Sequence, residues 1–219
     1  MTEEEWLNST EALRLLHVVR DQHKPSERKV RLFNVAICRR FWDYLPTESR
    51  SLLEESERVA DGLTLVTDDP STLCPRANAA VAPFDRQYPD KRFPNAEFRI
   101  RRDAAAAVCY AVLPGELWGA GGYFTDIDPG ENLHQSVIIR DIFGNPFRPV
   151  AFSAEWRTDT AVSLARGMYE SREFGAMPIL ADALQDAGCD NDDLLNHCRD
   201  ANQVHVRGCW VVDLVLGKA

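Results

Sequence analysis

The sequence predicts a mainly α-helical protein, an irregular multi-helix bundle with a proline-rich loop insertion in the middle. Two observations lead to this prediction: apolar residues recur at spacings of three and four, and helix caps and stop signals stand at the ends of these stretches. The segment from Cys209 to Leu216 fits a strand or a short helix by pattern alone. We predict a helix, because its surroundings are helical and no partner strand is evident.

Three helices are predicted in the first 62 residues, and the predicted N-caps are Ser9 or Thr10, Ser26 and Thr47. The helix that follows Ser26 is expected over residues 27–45, with its apolar residues on one face. Those residues are Val30, Phe33, Ile37, Phe41 and Leu45. Gly62 fits the position just after the third helix, where a left-handed backbone is favoured.

The middle of the chain, residues 64–130, is expected to be a loop-rich insertion in a single helical domain of residues 1–219. Residues 64–95 hold five of the twelve prolines, a density that excludes a long helix, although Cys74 to Ala82 fits a short one. Asp103 to Leu113 is alanine-rich and predicts a helix. Gly119 to Gly130 contains four glycines and predicts a loop.

The last third of the chain has the clearest helix signals. Helices are predicted from His134 to Phe143, from a Thr158 or Asp159 cap to about Ser171, and within the run from Met177 to Ala219. In that run Pro178 stands in a first helical turn, and Gly188 and Gly217 end helices. Asp190 is the predicted N-cap of the helix through Leu194, Leu195 and Cys198.

Charge and composition narrow the class of protein. The formal net charge is −9, and residues 111–219 carry 8 basic against 16 acidic residues, which argues against nucleic-acid binding there. No export signal and no apolar run of about 18 residues is visible, so we expect a cytoplasmic protein without membrane contact. The six cysteines show no C-x-x-C pair, and no disulfide is expected.

A polar cluster near the C-terminus is the strongest candidate site. The candidate binding residues are His197, Arg199, His205, Arg207 and Asp213. We predict no catalytic residue and no cofactor. We also predict no metal, because the adjacent side chains of His197 and Cys198 diverge by about 100° on a helix and can hardly bind the same ion. A set of His197, His205 and Cys209, completed by Cys189, has the inventory for zinc. The alternative is structural, with both arginines paired to Asp182, Asp186 or Asp213.

Two further patterns have competing explanations. Cys198 or Cys209 with His205, oriented by Asp213, would be a Cys-His nucleophile pair, but no hydrolase signature surrounds either cysteine. A basic stretch with interleaved aromatic residues has the composition of a base-stacking surface, but acidic residues dilute it. Its residues are Phe93, Phe98, Arg99, Arg101 and Arg102. A solvated helix start is the favoured interpretation.

Several segments together resemble a family of bacterial proteins to which no activity is attached. They are Arg140 to Val150, Pro178 to Leu184, His197-Cys198-Arg199 and His205 to Lys218, with a similar opening at Met1 to Leu7 and the element Cys38 to Trp42. The likeness covers about residues 1–62 and 137–219. It implies a shared fold and no particular chemistry.

The function expected from the sequence is that of a non-catalytic adaptor that binds another protein. Aromatic and arginine side chains stand side by side at several places, a composition typical of interface anchors. Such pairs are Phe147 with Arg148 and Trp156 with Arg157. The alternative is a small-molecule-binding or hydrolytic enzyme that uses the C-terminal His, Cys and Arg cluster. The sequence does not name a small-molecule ligand.

Overall fold

A computed structural model describes residues 1–63, 72–90, 92–113, 119–125 and 130–218. Within these ranges the chain forms twelve α-helices and no strand, which confirms the mainly α-helical multi-helix fold. None of the helices in the described part is both long enough and apolar enough to cross a bilayer.

The chain divides into two compact units. The terminal unit joins Met1–Ser9 with Val137–Ala219, and the central unit is Thr10–Ser136. The expectation of one domain stays a prediction, because one folding domain can contain two compact units.

The central unit contains helices α2 to α7 and the start of α8. Their bounds are α2 Ala12–Val18, α3 Glu27–Arg39, α4 Thr47–Ala60, α5 Leu73–Gln87, α6 Ala96–Val112, α7 Gly119–Thr125 and α8 Glu131–Phe143. A π-helical turn, Val19–His23, extends α2, and a 3₁₀ turn, Trp42–Tyr44, follows α3. The core of the central unit includes Leu15, Phe33, Ile37, Leu52 and Leu53, all fully buried.

Local signals place some of these helix ends and misplace others. Ser26 caps α3 as predicted, since its hydroxyl accepts a bond from the Lys29 amide, and Gly62 follows α4 with φ +70°. Thr47 is the first residue of α4 and not its N-cap, which is Pro46. The cap predicted at Ser9 or Thr10 is also wrong, because Ser9 ends the unforeseen helix α1 (Glu3–Asn8).

The expectation that no long helix forms in residues 64–95 is wrong, because the short helix that fits Cys74 to Ala82 extends over residues 73–87 as the fifteen-residue helix α5. Pro75 lies in its first turn, where an amide hydrogen has no helical partner in any case, so this proline costs little. Pro83 removes one internal hydrogen bond, but the helix continues while Leu73, Ala77 and Val81 bury one face. Within the proline-rich stretch, residues 64–71 and Lys91 lie outside the described residues.

Residues 119–125 are also helical where a loop was expected, and close packing explains their glycines. A Cβ on Gly119 would fall inside the Tyr110 ring, and one on Gly121 would stand 2.5 Å from the Gln135 Oε1 atom. Glycine at these positions lets α7 approach its neighbours closely. Composition alone does not distinguish a glycine-rich helix of this kind from a loop. The remainder of the predicted loop, 126–129, lies outside the described residues.

The terminal unit consists of α1, the end of α8 and four further helices. These are α9 Asp159–Ser171, α10 Met177–Asp186, α11 Asp192–Arg199 and α12 Trp210–Leu216. The short helix predicted between Cys209 and Leu216 is therefore confirmed. The core of the terminal unit contains Ala165, Leu180, Leu184, Leu194 and Val212, which belong to α9 to α12.

Most helix ends in this unit lie where the sequence predicts them. Thr158 caps α9 by accepting a bond from the Ala161 amide. Gly188 and Gly217 follow α10 and α12 with φ +87° and +67°, as predicted. The N-cap predicted at Asp190 is wrong by one residue, because Asn191 is the N-cap of α11. The Asn191 side chain accepts a hydrogen bond from the backbone amide of Leu194, the third residue of the helix.

The segment after α8 holds the N-terminal helix α1 in place. The Arg140 guanidinium donates to the carbonyl oxygens of Trp6, at 3.0 Å, and of Ser9. Asn145 and Arg148 both contact the Glu3 carboxylate, at 2.8 and 2.6 Å. Much of the motif from Arg140 to Val150 therefore has a structural task within the terminal unit.

Candidate functional site

Four potential ligand atoms converge inside the terminal unit. They belong to Asp141, His197, His205 and Cys209, and all lie within 4.8 Å of one another. Asp141 Oδ1 is 2.8 Å from His205 Nδ1 and 3.2 Å from His197 Nε2. Cys209 Sγ is 3.3 Å from His197 Nε2 and 3.9 Å from His205 Nδ1. We call this set the tetrad.

The tetrad residues come from three parts of the terminal unit. Asp141 lies near the end of α8 and His197 in the last turn of α11. His205 follows in the connection to α12, and Cys209 is the residue from which α12 starts. A turn brings the last two together, because the Cys209 amide donates to the Val206 carbonyl at 2.9 Å.

The second oxygen of Asp141 is also held. Its Oδ2 atom accepts a hydrogen bond from the Val206 backbone amide at 2.9 Å. One carboxylate thus fixes both the His205 ring and the backbone beside it. This leaves Oδ1 as the oxygen that faces the centre of the tetrad.

The tetrad is closed to solvent. Asp141 and Cys209 are 0% exposed, and the side chains of His197 and His205 are 12% and 6% exposed. Trp210 packs over His197 with ring centroids 5.1 Å apart. Burial works to raise the pKa of Asp141, but hydrogen bonds and charge from the two imidazoles outweigh it and lower that pKa to about 2.

Burial has the opposite outcome for the thiol. Burial first, and then the Asp141 charge, raise the pKa of Cys209 well above its ordinary value. A carboxylate at that position repels a thiolate, so in the absence of a cation the Cys209 sulfur is a neutral thiol. Such a sulfur is a poor nucleophile.

The geometry also differs from a catalytic relay. In a Cys-His-Asp triad one ring nitrogen faces the sulfur and the opposite one faces the carboxylate. Here the same atom of His197, Nε2, faces both Cys209 Sγ and Asp141 Oδ1. In His205, Nδ1 likewise faces both. The arrangement is convergent, as in a metal site, and lacks the linear order of such a triad.

The structure separates the predicted binding residues into two groups. His197 and His205 meet, with ring centroids 4.9 Å apart. Arg199 points elsewhere and binds Asp182 at 3.1 Å and Gln185 at 2.7 Å, so the predicted pairing with Asp182 is confirmed.

Arg207 and Asp213 are not members of the tetrad either. The Arg207 guanidinium lies 4.5 Å from the centre of the Tyr169 ring, a cation–π contact. Asp213 is buried in α12. The carboxylate that orients the histidines is Asp141, and Asp213 does not have the role suggested for it.

Sequence reasoning missed Asp141 altogether. It lies 56 positions before His197 in a helix that reads as amphipathic, and no local spacing connects the two. It also takes the place that Cys189 was expected to fill in a metal set. The only available signal was that Asp141 lies within the motif from Arg140 to Val150.

A second feature of the terminal unit is an open groove on α9, which we call the α9 groove. It has a volume of about 620 Å³, and Leu164, Met168 and Ala176 supply its apolar surface. Asp159 and Glu173 also line it, and no basic residue does. One helical turn beyond Ala176, Ile179 is 58% exposed.

The basic clusters of the central unit are engaged internally. Arg101 binds Glu97 at 2.9 Å, and Arg102 binds Asp85 at 3.1 Å and Asp103 at 3.0 Å. The aromatic rings beside them, at Phe84, Tyr88, Phe93 and Phe98, contact one another. These pairings favour the solvated helix over a nucleic-acid surface.

No known protein family, curated protein or solved structure matches this chain. The resemblance seen in the sequence motifs therefore stays a prediction.

Proposed function

We propose that this protein is a non-catalytic module that binds another protein through the α9 groove. The observation that carries the proposal is the groove itself: an open apolar trough with acidic side chains and no basic residue in its lining. The convergent geometry of the tetrad supports the non-catalytic part, because neither histidine stands between sulfur and carboxylate with opposite ring nitrogens, as the base of a triad does.

The charge of the terminal unit indicates the chemistry of the partner. This unit carries 8 Lys and Arg against 15 Asp and Glu, a formal net charge of −7. A partner with basic side chains is attracted to such a surface and approaches it faster. Asp159 and Glu173 offer carboxylates on the groove itself.

The apolar floor indicates the shape of the partner. Leu164 and Ala176, with the buried Met168 beneath them, form a strip that fits the apolar ridge of an amphipathic helix. The partner segment in this proposal is a basic amphipathic helix. A cytoplasmic location belongs to the same proposal, and it is supported by the six free cysteines, which fit a reducing compartment.

Gly167 offers a direct test. It lines the groove, and a Cβ added there meets nothing within 4 Å, so Gly167→Trp fills the groove without a clash inside the unit. The matched control is Gly122→Trp, a helical glycine of the central unit whose Cβ also meets nothing within 4 Å. Both variants are first checked for native helix content by circular dichroism.

Binding is then measured with a designed helical peptide of leucine and lysine and with cross-linked extracts analysed by mass spectrometry. We expect the wild type and Gly122→Trp to bind the peptide and to cross-link to a basic helical segment, and Gly167→Trp to lose both by at least tenfold. Equal binding by Gly167→Trp and the control, or no binding by the wild type, would refute the proposal.

A further inference from the structure

We propose that the tetrad of Asp141, His197, His205 and Cys209 is a structural zinc site. This goes beyond protein binding and does not depend on it. The four donors come from α8, α11 and the connection leading into α12, so a single ion would tie these three parts of the terminal unit together.

The donor set is one that zinc prefers. Zinc binds thiolate sulfur, imidazole nitrogen and carboxylate oxygen, in most structural sites with four ligands in a tetrahedron. The tetrad offers one sulfur, two nitrogens and one oxygen. Thiolate and imidazole together disfavour magnesium and calcium, which take oxygen ligands.

Charge balance also favours a divalent ion. A carboxylate and a thiolate with two neutral imidazoles carry two negative charges, which Zn²⁺ neutralises completely. Asp141 and Cys209 are both 0% exposed, and an unbalanced charge at such a depth is costly. A divalent cation makes the buried group neutral as a whole.

The distances fit a tetrahedral ion. Bonds of about 2.0 to 2.3 Å place the ligand atoms of a zinc tetrahedron roughly 3.3 to 3.8 Å apart. Four of the six atom pairs in the tetrad are 2.8, 3.2, 3.3 and 3.9 Å apart, and every pair lies within 4.8 Å. Shifts of about half an ångström complete the geometry, well within what rotation of the side chains allows.

The four donor atoms face one common point. His197 Nε2 faces Asp141 Oδ1 and Cys209 Sγ. His205 Nδ1 faces the same two atoms. One cation at the point where these four atoms converge would contact all of them at once.

The surroundings resemble the support that structural metal sites require. The Val206 amide holds the Asp141 oxygen that does not face the centre, at 2.9 Å, and thereby orients the other oxygen. Trp210 and Phe174 pack against the two imidazole rings, with centroids 5.1 and 6.2 Å away. Four protein donors in a closed setting leave no open position for substrate, so the site is structural.

The test uses the full chain, purified without a histidine tag and under reducing conditions. ZnCl₂ is added in excess, unbound metal is removed, and the bound zinc is counted by mass spectrometry; CoCl₂ serves as a spectroscopic substitute. We expect one zinc per chain. We also expect a visible tetrahedral cobalt spectrum with a sulfur-to-cobalt charge-transfer band.

Variants assign the site to the tetrad. Cys209→Ser and Asp141→Asn remove one donor each, and we expect zinc affinity to fall by more than the roughly 10- to 100-fold that loss of an outer-shell partner costs. The matched control is Cys198→Ser, because Cys198 is also buried and adjacent to His197 but is not in the tetrad. It should keep one zinc per chain and the charge-transfer band.

The outcomes separate clearly. Absence of stoichiometric zinc in the wild type, or equal affinity in Cys209→Ser and Cys198→Ser, would overturn the proposal. If Cys209→Ser fails to fold, the cobalt spectrum of the wild type decides alone, since a spectrum without a sulfur band excludes Cys209 as a ligand. The measurement needs no protein partner, so failure of the groove proposal does not affect it.

Discussion

Two glycines of the terminal unit allow the packing around Trp210 to be measured. Gly144 follows α8 with φ +69°, and Gly188 follows α10 with φ +87°. Both have a backbone conformation that disfavours any side chain. They differ in their neighbours, because a Cβ on Gly144 would stand 3.3 Å from Trp210 Cγ, while one on Gly188 would meet nothing within 4 Å.

The two alanine variants should therefore differ in the free energy of unfolding. A left-handed alanine costs about 1–2 kcal/mol, and this term applies to both. At Gly144 the Trp210 ring must also move, and overpacking of this kind adds about 1–3 kcal/mol. We expect Gly188→Ala to lose about 1–2 kcal/mol and Gly144→Ala to lose about 1–3 kcal/mol more than that.

Urea unfolding followed by tryptophan fluorescence and circular dichroism measures both losses in the same unit. A Trp210→Leu background provides the control, because it removes the ring and should abolish the excess cost at Gly144. If Gly144→Ala and Gly188→Ala lose free energies of unfolding within about 0.5 kcal/mol of each other, the contact with Trp210 does not cause the cost at Gly144. The same conclusion follows if the larger loss of Gly144→Ala persists in the Trp210→Leu background.

Three further outcomes follow from the same structure. Arg76 hydrogen bonds lower the pKa of Glu55 against the opposing effect of burial. A lowered pKa gives stability that is present above the unfolded pKa of about 4.3 and is lost as the pH falls through the folded pKa. Glu55→Gln should therefore lose about 0.5–1 kcal/mol at pH 7, and titrated denaturation should show this loss shrinking as the pH falls below about 4.3. A loss independent of pH would contradict this. Gly121→Ala should lose about 1–3 kcal/mol in chemical denaturation because its Cβ meets the Gln135 amide oxygen at 2.5 Å, and a neutral result would show that this side chain moves freely. Arg199→Ala should lose less than about 1 kcal/mol and leave zinc binding unchanged, since its partners lie on the surface; a drop in bound zinc would return Arg199 to the site.

Zinc removal should act on one part of the chain. With a chelator present, hydrogen exchange is expected to speed up in α11, α12 and the connection between them, because the ion would hold these segments to α8. Exchange in α3 and α4 of the central unit serves as the internal control. A uniform change across both units would indicate general destabilisation and contradict a local structural role.

The sequence alone determined the helical class and many of the helix ends. Ser26, Thr158, Gly188 and Gly217 each act within three to five residues of their own position, by accepting a nearby amide or by adopting a left-handed backbone. Such interactions are visible in a linear chain because both partners are near one another in it.

Tertiary structure decided what the glycines and prolines of the middle segment do. Gly119 and Gly121 predicted a loop because glycine is a helix breaker, yet they permit a close helix contact with Tyr110 and Gln135. Pro83 likewise stands inside a helix that is stabilised by its buried face. In both places packing outweighed local propensity, and packing partners are not readable from composition.

The tetrad also combines residues that the sequence indicates with one that only the tertiary structure reveals. His197, His205 and Cys209 lie within thirteen residues, so the sequence could mark them as a cluster. Asp141 lies far away on another helix, and only folding brings its carboxylate to 2.8 Å from His205. The sequence supplied three donors, and the tertiary structure supplied the fourth, because long-range convergence depends on how helices pack and leaves no periodic trace in the chain.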